Sequence, residues 1–544
     1  MHFYGIRYSV ANGKIAELIA VLYLKIRRGE IMDTNKRNAS SLVWGTLLII
    51  FGLLATTNIF PSHADSIHNV TDFSAVDAYV EAQMKTLKIP GLALAIVQGD
   101  QVIYVKGYGQ AHPDGSPATS QTPFMIGSTT KSITALAVMQ LVEAGKIELD
   151  APVQTYIPWF RVADESASAQ ITVKHLLTQT SGFSSAAGHL ELAASDTSEQ
   201  AIENSVRALK DVTLVRAPGE AYEYSNINYT VLGLVVQMVS GQSYESYMQK
   251  NIFDPLEMSH SFTSLDEAMR NGMSTGYLTV FGLPIAKDVP FNRGNIAAGY
   301  LICSAEDLAH YLIAQLNEGH YGNVSVISPQ GMDAMHQPLV NTETPGDSYG
   351  MGWHVSWVNG VPAIWHDGDN ANFSAVLMMD PQAKLGIVVL NNANGTFVLQ
   401  APNQIATGVQ AILLGKQPKS YERSTPFFVF IGSTGIPALL SLLWVGWMAI
   451  AFVRRQKRLI PARRGFGWWV WVIGVPAFVD LILLVMSLVF IPKQWGMSLN
   501  TMAVWYPDCF LLLFGGAILV AVWGVVRLAL TLRWARNQRM EIKQ

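Results

Sequence analysis

The sequence predicts an α/β (α+β) fold followed by a three-helix transmembrane segment. Three observations lead there. Strand-like runs stand at both ends of residues 66–420, runs of helical period fill the middle of that stretch, and three long apolar runs follow Pro426. Strands at both ends with helices between them imply one sheet closed by N- and C-terminal strands, with a mostly helical subdomain inserted. The 544 residues exceed one ordinary domain. They divide into an N-terminal extension with a signal peptide or anchor (1–65), a globular part (66–420) and the membrane part (426–544).

The elements follow in chain order. Leu42 to Phe60 is apolar and comes after Lys36 and Arg37, the layout of a secretory signal, with Ser62-His63-Ala64 as a cleavage site. The run is also close to spanning length, so an uncleaved anchor stays open. Met32 begins a more conventional signal than Met1 does. Gly91–Val97 and Gln101–Val105 flank Gly99-Asp100, a hairpin pattern. Thr130–Ala144 carries apolar residues at helical spacing, and helices are expected near Ile171–Leu177 and Tyr229–Val239. Ala363–Trp365, Phe373–Met379 and Leu385–Leu390 read as strands, and Pro402–Leu414 as a last helix.

The apolar runs at about 427–453, 466–491 and 509–531 are each long enough to span. Arg454, Arg455, Lys457, Arg458, Arg463 and Arg464 make the first connection basic and hence cytoplasmic. Residues 492–508 hold one cation, Lys493, and should face out; the tail, with Arg533, Arg536, Arg539 and Lys543, should face in. This order places residues 66–420 outside, as does the signal. Asp480, near the middle of the second span, reads as protonated or hydrogen-bonded to Ser433, Thr434 or Ser441, locking the bundle; a role in guiding a substrate or partner is the alternative.

Composition narrows the classes. Half of the residues are hydrophobic and 14% charged, which fits a chain partly in lipid. A net charge of −3 argues against a nucleic-acid partner. Cys303 and Cys509 sit far apart and in no ligand-like spacing, so neither a disulfide nor a cysteine-based metal site is expected, and no HExxH occurs.

Three short patterns carry chemistry. Ser128-Thr129-Thr130-Lys131 is the one Ser-x-x-Lys in the chain. Three residues apart on a helix, the amine and the hydroxyl share a face, and the helix start adds N–H groups and a positive dipole end. Taken alone, Ser128 would more often be a cap. Tyr224-Ser225-Asn226 precedes an apolar helix. A tyrosine beside a lysine is expected to have its pKa lowered and to serve as base and acid, while Asn226 offers its amide to a substrate carbonyl. His366-Asp367-Gly368 lies between two expected strands, where an edge backbone can donate to an oxyanion and Gly368 permits close approach. His366 alone would more often be a satisfied structural histidine.

With these motifs the sequence resembles the class C β-lactamase and D-alanyl-D-alanine carboxypeptidase family of serine hydrolases, in which Ser-x-x-Lys carries the nucleophile. The likeness continues through Ile171–Gly182, Tyr224–Tyr229, Ser304–Leu308 and Tyr349–Trp353, and covers roughly residues 70–415. It implies a β-lactamase/transpeptidase-like antiparallel sheet flanked by helices plus a helical subdomain. It also implies acyl transfer. Ser128 is acylated, Lys131 and Tyr224 share the proton, and the amides of Ser128 and Asp369 hold the oxyanion, with no metal or cofactor. His366 stands where β-lactam-hydrolysing members usually carry a lysine, which shifts the balance toward peptides or esters. The signal and three spans are also similar to membrane peptidases that remove an acyl-D-amino-acid cap from nonribosomal peptide prodrugs, as is Asn370–Ser374. Met125 replaces an acidic residue found there three positions before the nucleophile.

The expected function is therefore an envelope hydrolase acting on D-amino-acid peptides or esters, with a small-molecule or peptide substrate, membrane lipid as its surroundings and no nucleic acid. The alternatives are a low-activity β-lactamase, a sensor acylated by β-lactams, and a prodrug-activating peptidase.

Overall fold

The computed structural model describes residues 72–190, 195–288, 291–421, 425–456 and 466–541. The signal or anchor reading of residues 1–65 and most of the basic connection before Phe466 lie outside them.

The hairpin expected at Gly99-Asp100 forms. Gly99 takes φ +61°, a left-handed conformation that costs glycine little, and joins β1 (Gly91–Gln98) to β2 (Gln101–Gly109). β1 is buried over seven of its eight residues, because it is a central strand. The other strands come from the far end of the chain. The hairpin β3 (Tyr277–Val280) and β4 (Leu283–Ala286) lies apart, and β5 (Val340–Asn341), β6 (Ser348–Tyr349), β7 (His354–Val358), β8 (Val361–Asn370), β9 (Phe373–Asp380) and β10 (Leu385–Asn391) complete the main sheet. Its order is β2-β1-β10-β9-β8-β7-β6-β5, antiparallel throughout. The register Leu94↔Val389 zips the first strand onto the last, so the sheet is closed by its two chain ends as expected.

Helices cover both faces. α1 (Ser74–Leu87) and, at the end of the domain, the helix Ala401–Leu413 pack together on one face, the Tyr79 hydroxyl donating to Gln404 O at 3.1 Å. On the other face lies the main core, into which Ala93, Ala95, Leu377 and Val388 point with α2 (Thr130–Glu143), α3 (Asn226–Ser240) and α4 (Ala305–Leu316). α2 is buried along nearly its whole length, which explains its even covering of small and apolar residues. The His366-Asp367-Gly368 pattern falls inside β8 rather than between two strands. β7 pairs with β8 only as far as Trp365, so residues 366–370 still present a locally free edge.

Three helices are long and apolar enough to cross a membrane, at Phe427–Ala451, Val470–Gln494 and Pro507–Arg533. Between the last two, Ser498 caps a short helix, α5 (Leu499–Trp505), by accepting from Thr501 N at 3.0 Å. The contacts described for Asp480 are to other groups than the Ser433, Thr434 and Ser441 hydroxyls. Its carboxylate takes Arg527 Nη2 at 2.6 Å and Trp444 Nε1 at 2.7 Å, linking all three spans. Arg527, one of the strongest donors in the bundle, outcompetes weaker hydroxyls. Cys303 and Cys509 are both free and buried.

Candidate active site

Ser128 lies in a one-turn 3₁₀ segment, Gly127–Thr129, that feeds directly into α2. Gly127 has φ +53°. A Cβ there would lie 2.3 Å from Asp369 N, and one on Gly368 would lie 2.0 Å from Ile126 O and 2.8 Å from Ser128 N. Two glycines thus let β8 and the serine turn touch backbone to backbone, which brings the Asp369 amide beside that of Ser128. Gly352, φ +80°, performs the same service on the other side of α2, where a Cβ would meet Ser132 Cα at 2.8 Å.

Lys131 is fully buried. Its Nζ lies 2.9 Å from Ser128 Oγ, 2.8 Å from Asn226 Oδ1 and 2.7 Å from Ala298 O. Burial drives its pKa well below the ordinary lysine value, with Asp367 opposing only in part. The two carbonyl oxygens can only accept. In its neutral form the amine would give them its two protons and keep its lone pair for the Ser128 hydroxyl.

Tyr224 lies beside this pair, its ring 4.9 Å from Nζ, and its hydroxyl interacts with Ser128. The expected lowering of its pKa is not found. Burial pushes the phenol up, and the Ser128 contact offsets this only in part. Desolvation acts on both groups and favours the neutral form of each, and on the tyrosine it outweighs the lowering expected from the neighbouring amine. The tyrosine loop is held by Gln179, whose backbone carbonyl accepts from Glu223 N at 2.8 Å and whose side chain accepts from Ser225 N at 3.0 Å. The Ile171–Gly182 segment therefore serves to position Tyr224-Ser225-Asn226.

His366 is buried behind Tyr224, ring centroids 6.3 Å apart. Its Nε2 meets Tyr349 Oη at 3.1 Å and its Nδ1 meets Asp367 O at 2.5 Å. Burial first, then His354 and Lys131, hold its pKa well below the ordinary histidine value. It is a neutral packing group and does not line the pocket. Asp369 faces the pocket. Its carboxyl accepts from Asn394 Nδ2 at 3.0 Å, yet burial and the neighbouring Asp367 raise its pKa to about 7.

The pocket has a volume of about 160 Å³. It is lined by Ser128, Tyr224, Asn226, Asp369 and Asn370, by Asn295 and Ala298–Tyr300, and by Met497, Trp505 and Tyr506. Among the described residues, no group of three or more His, Cys, Asp or Glu is placed to hold a metal.

A model of the β-lactamase family matches residues 76–409, more than half of the chain. The chain belongs to the β-lactamase family. Members of this family and of the related penicillin-binding proteins are usually serine hydrolases. Protein flp of Staphylococcus aureus strain N315 is 32% identical over 346 residues, 61% of this chain and 66% of that protein, just under two thirds of its length. Penicillin-binding protein 4 of Amycolatopsis lactamdurans is 29% identical over 318 residues, covering 56% of this chain and 81% of that one. Among solved structures, the octameric penicillin-binding protein homologue from Pyrococcus abyssi aligns with a TM-score of 0.57 and 29% identity, over 67% of this chain and 81% of that chain.

Of the residues singled out in the sequence, Ser128, Lys131, Tyr224, Asn226 and Asp369 converge in this β-lactamase-family pocket, and Gly368 makes the convergence sterically possible. Sequence reasoning marked Asn370 only through the Asn370–Ser374 likeness and missed Asn295, Ala298, Met497, Trp505 and Tyr506. Trp505 and Tyr506 look like interface aromatics of the kind that flank any span, so nothing local marks them as pocket residues.

Proposed function

We propose that this chain is a membrane-anchored, extracytoplasmic serine hydrolase that cleaves D-amino-acid-containing peptides or esters through an acyl-serine. The carrying observation is the Lys131 amine, 2.9 Å from Ser128 Oγ with its other two contacts fixed on acceptors. In this reading Ser128 gives its proton to Lys131 and attacks the carbonyl carbon. The oxyanion settles between the amides of Ser128 and Asp369, in an arrangement that needs no reorganisation. The Tyr224 hydroxyl relays the proton to the leaving group, and water then attacks the acyl-serine with the same groups taking its proton. Asn226 Nδ2 orients the substrate carbonyl or amide. The substrate is a small molecule or peptide of the cell envelope.

A second reading is a β-lactam-acylated protein that turns over slowly, as a sensor or weak β-lactamase. The names of the penicillin-binding relatives favour β-lactam reactivity. The neutral, buried His366 weighs against efficient hydrolysis, since it offers no fixed cation for a substrate carboxylate. Exposing the full chain in parallel to a fluorescent penicillin, a D-alanyl peptide and an activated ester separates the two. Turnover of the peptide or ester is expected, whereas a persistent penicilloyl-serine without turnover of either would select the second reading.

The charge pattern supports an outside location, because the basic connection and tail flank a nearly uncharged 492–508 loop. Met497 and Trp505 of that loop line the pocket, so loop and catalytic part share one side. A reporter after Gln544 is expected to be cytoplasmic and a label at Lys493 accessible from outside; the reverse would overturn the orientation.

A further inference from the structure

One wall of the pocket is supplied by the membrane part of the chain. Met497, Trp505 and Tyr506 lie between the second and third candidate spans, and Trp505 is two residues before Pro507, where the third begins. The wall is fastened to the catalytic part at several points. Gly496 packs on Ala186, where an added Cβ would lie 3.0 Å from the Ala186 Cβ. Trp505 is buried against Leu278 of β3 and Ala371, the residue after β8. Thr396 Oγ1 donates to Asp508 Oδ1 at 2.9 Å. From below, Met502 packs on Ile491, Cys509 and Leu513.

The surface next to this wall is apolar as well. The β3–β4 hairpin exposes Phe281, Leu283 and Ile285, each by about half. Gly282 at its turn contacts Phe397, whose ring meets that of Phe427 at 5.4 Å, and Phe427 opens the first span. Hairpin, wall and span ends are thus contiguous. The pocket lining is mixed in chemistry. Besides Ser128, Asn226 and Asp369 the lining includes a thioether and an indole, Met497 and Trp505, side chains that attract apolar groups.

We propose that Met497 and Trp505 are specificity-determining residues that hold an apolar group of the substrate, next to its scissile carbonyl, against the membrane-proximal wall. This deepens the acyl-serine reading and rests on it. The substrate class is an amide or ester whose acyl side carries an alkyl or aryl group, taken up where the catalytic part meets the bilayer surface.

The test uses the full chain in lipid nanodiscs with p-nitrophenyl acetate and p-nitrophenyl hexanoate. The unmutated chain is expected to favour the hexanoate. Trp505→Ala should lower kcat/KM for the hexanoate about tenfold or more, the scale of a lost hydrophobic pocket contact, while the acetate changes less than about threefold. Met497→Ala should act in the same direction more weakly, and Trp505→Phe should restore most of the preference. Labelling of Ser128 by a fluorophosphonate, equal in rate across these variants, confirms that the fold and the serine are intact. An unchanged hexanoate-to-acetate ratio in both alanine variants overturns the proposal, as does an equal loss on both esters with labelling retained. Ser128→Ala is the separate control. If it still hydrolyses the esters, the acyl-serine reading falls, while the ratio in Trp505→Ala continues to decide the role of the wall.

Discussion

Lys131 and Arg527 are both buried basic side chains, at 0% and 5% exposure, and the protein settles them in opposite ways. Lys131 is surrounded by a hydroxyl and two carbonyl oxygens with no carboxylate in hydrogen-bond contact. Arg527 is held by the Asp480 carboxylate inside the helix bundle. An amine can give up its proton when buried, whereas a guanidinium cannot. Neutral surroundings therefore favour the free amine at Lys131, the form that the proposed base requires, and a charged partner makes Arg527 a fixed strut. The contrast separates chemistry from architecture within one chain.

The sharpest way to probe the contrast is at the amine. Ser128→Ala is expected to abolish hydrolysis with folding intact; retained turnover would refute the serine assignment. Lys131→Ala should cost on the order of 100-fold or more, and Lys131→Arg as much, because a permanent cation cannot take the serine proton. Activity retained in Lys131→Arg would mean that the group works as a charge and not as a base. Tyr224→Phe should lose about 100-fold, and combined with Lys131→Ala the losses should not multiply, since the two act as a unit.

The membrane pair predicts a different signature. Asp480→Asn leaves Arg527 buried without a counter-charge, which destabilises by roughly 3–5 kcal/mol for pairs of this kind. Thermal unfolding in detergent should show it. Turnover per folded molecule should stay near that of the parent. Replacing both partners, Asp480→Leu with Arg527→Met, should recover much of the loss. Full stability of Asp480→Asn would dissolve the comparison by showing that the pair is dispensable.

The smallest expected effect is at Asp369. Its pKa of about 7 means a neutral acid below that pH and a carboxylate above it. The carboxylate forms on the residue whose amide is assigned to the oxyanion, so like charges meet in the transition state. kcat/KM should decline as pH rises through about 7, by a few-fold, and Asp369→Asn should remove that decline. An identical pH profile for the two proteins would assign the limb to another group.

Much of this molecule was legible in its sequence, for local reasons. Ser128 and Lys131 share a helix face by spacing alone, Gly99-Asp100 dictates a hairpin, and the spans announce themselves by hydropathy. The closure of the sheet by its two chain ends followed from strand-like runs at both ends of the domain. What escaped depends on burial or on distance along the chain. The sequence places Tyr224 near Lys131 but cannot show how strongly desolvation weighs on the phenol, so the direction of the tyrosine shift was misjudged. The hydroxyls of the first span were the candidates for Asp480, yet Arg527 on the third span and Trp444 on the first reach it. His366 matched the third motif and turned out to pack against Tyr224 and Tyr349.

The wall built by Met497 and Trp505 also has a consequence for synthesis. Ser128 leaves the ribosome several hundred residues ahead of Trp505. At about 5–20 residues per second that interval lasts roughly 20–75 s. Throughout it, the domain can fold and set Ser128 against Lys131 while one side of the cleft is missing. The pocket gains that side only when residues 497–506 have been made. A chain stalled before Met497 would carry Ser128 and Lys131 in a cleft that lacks this side.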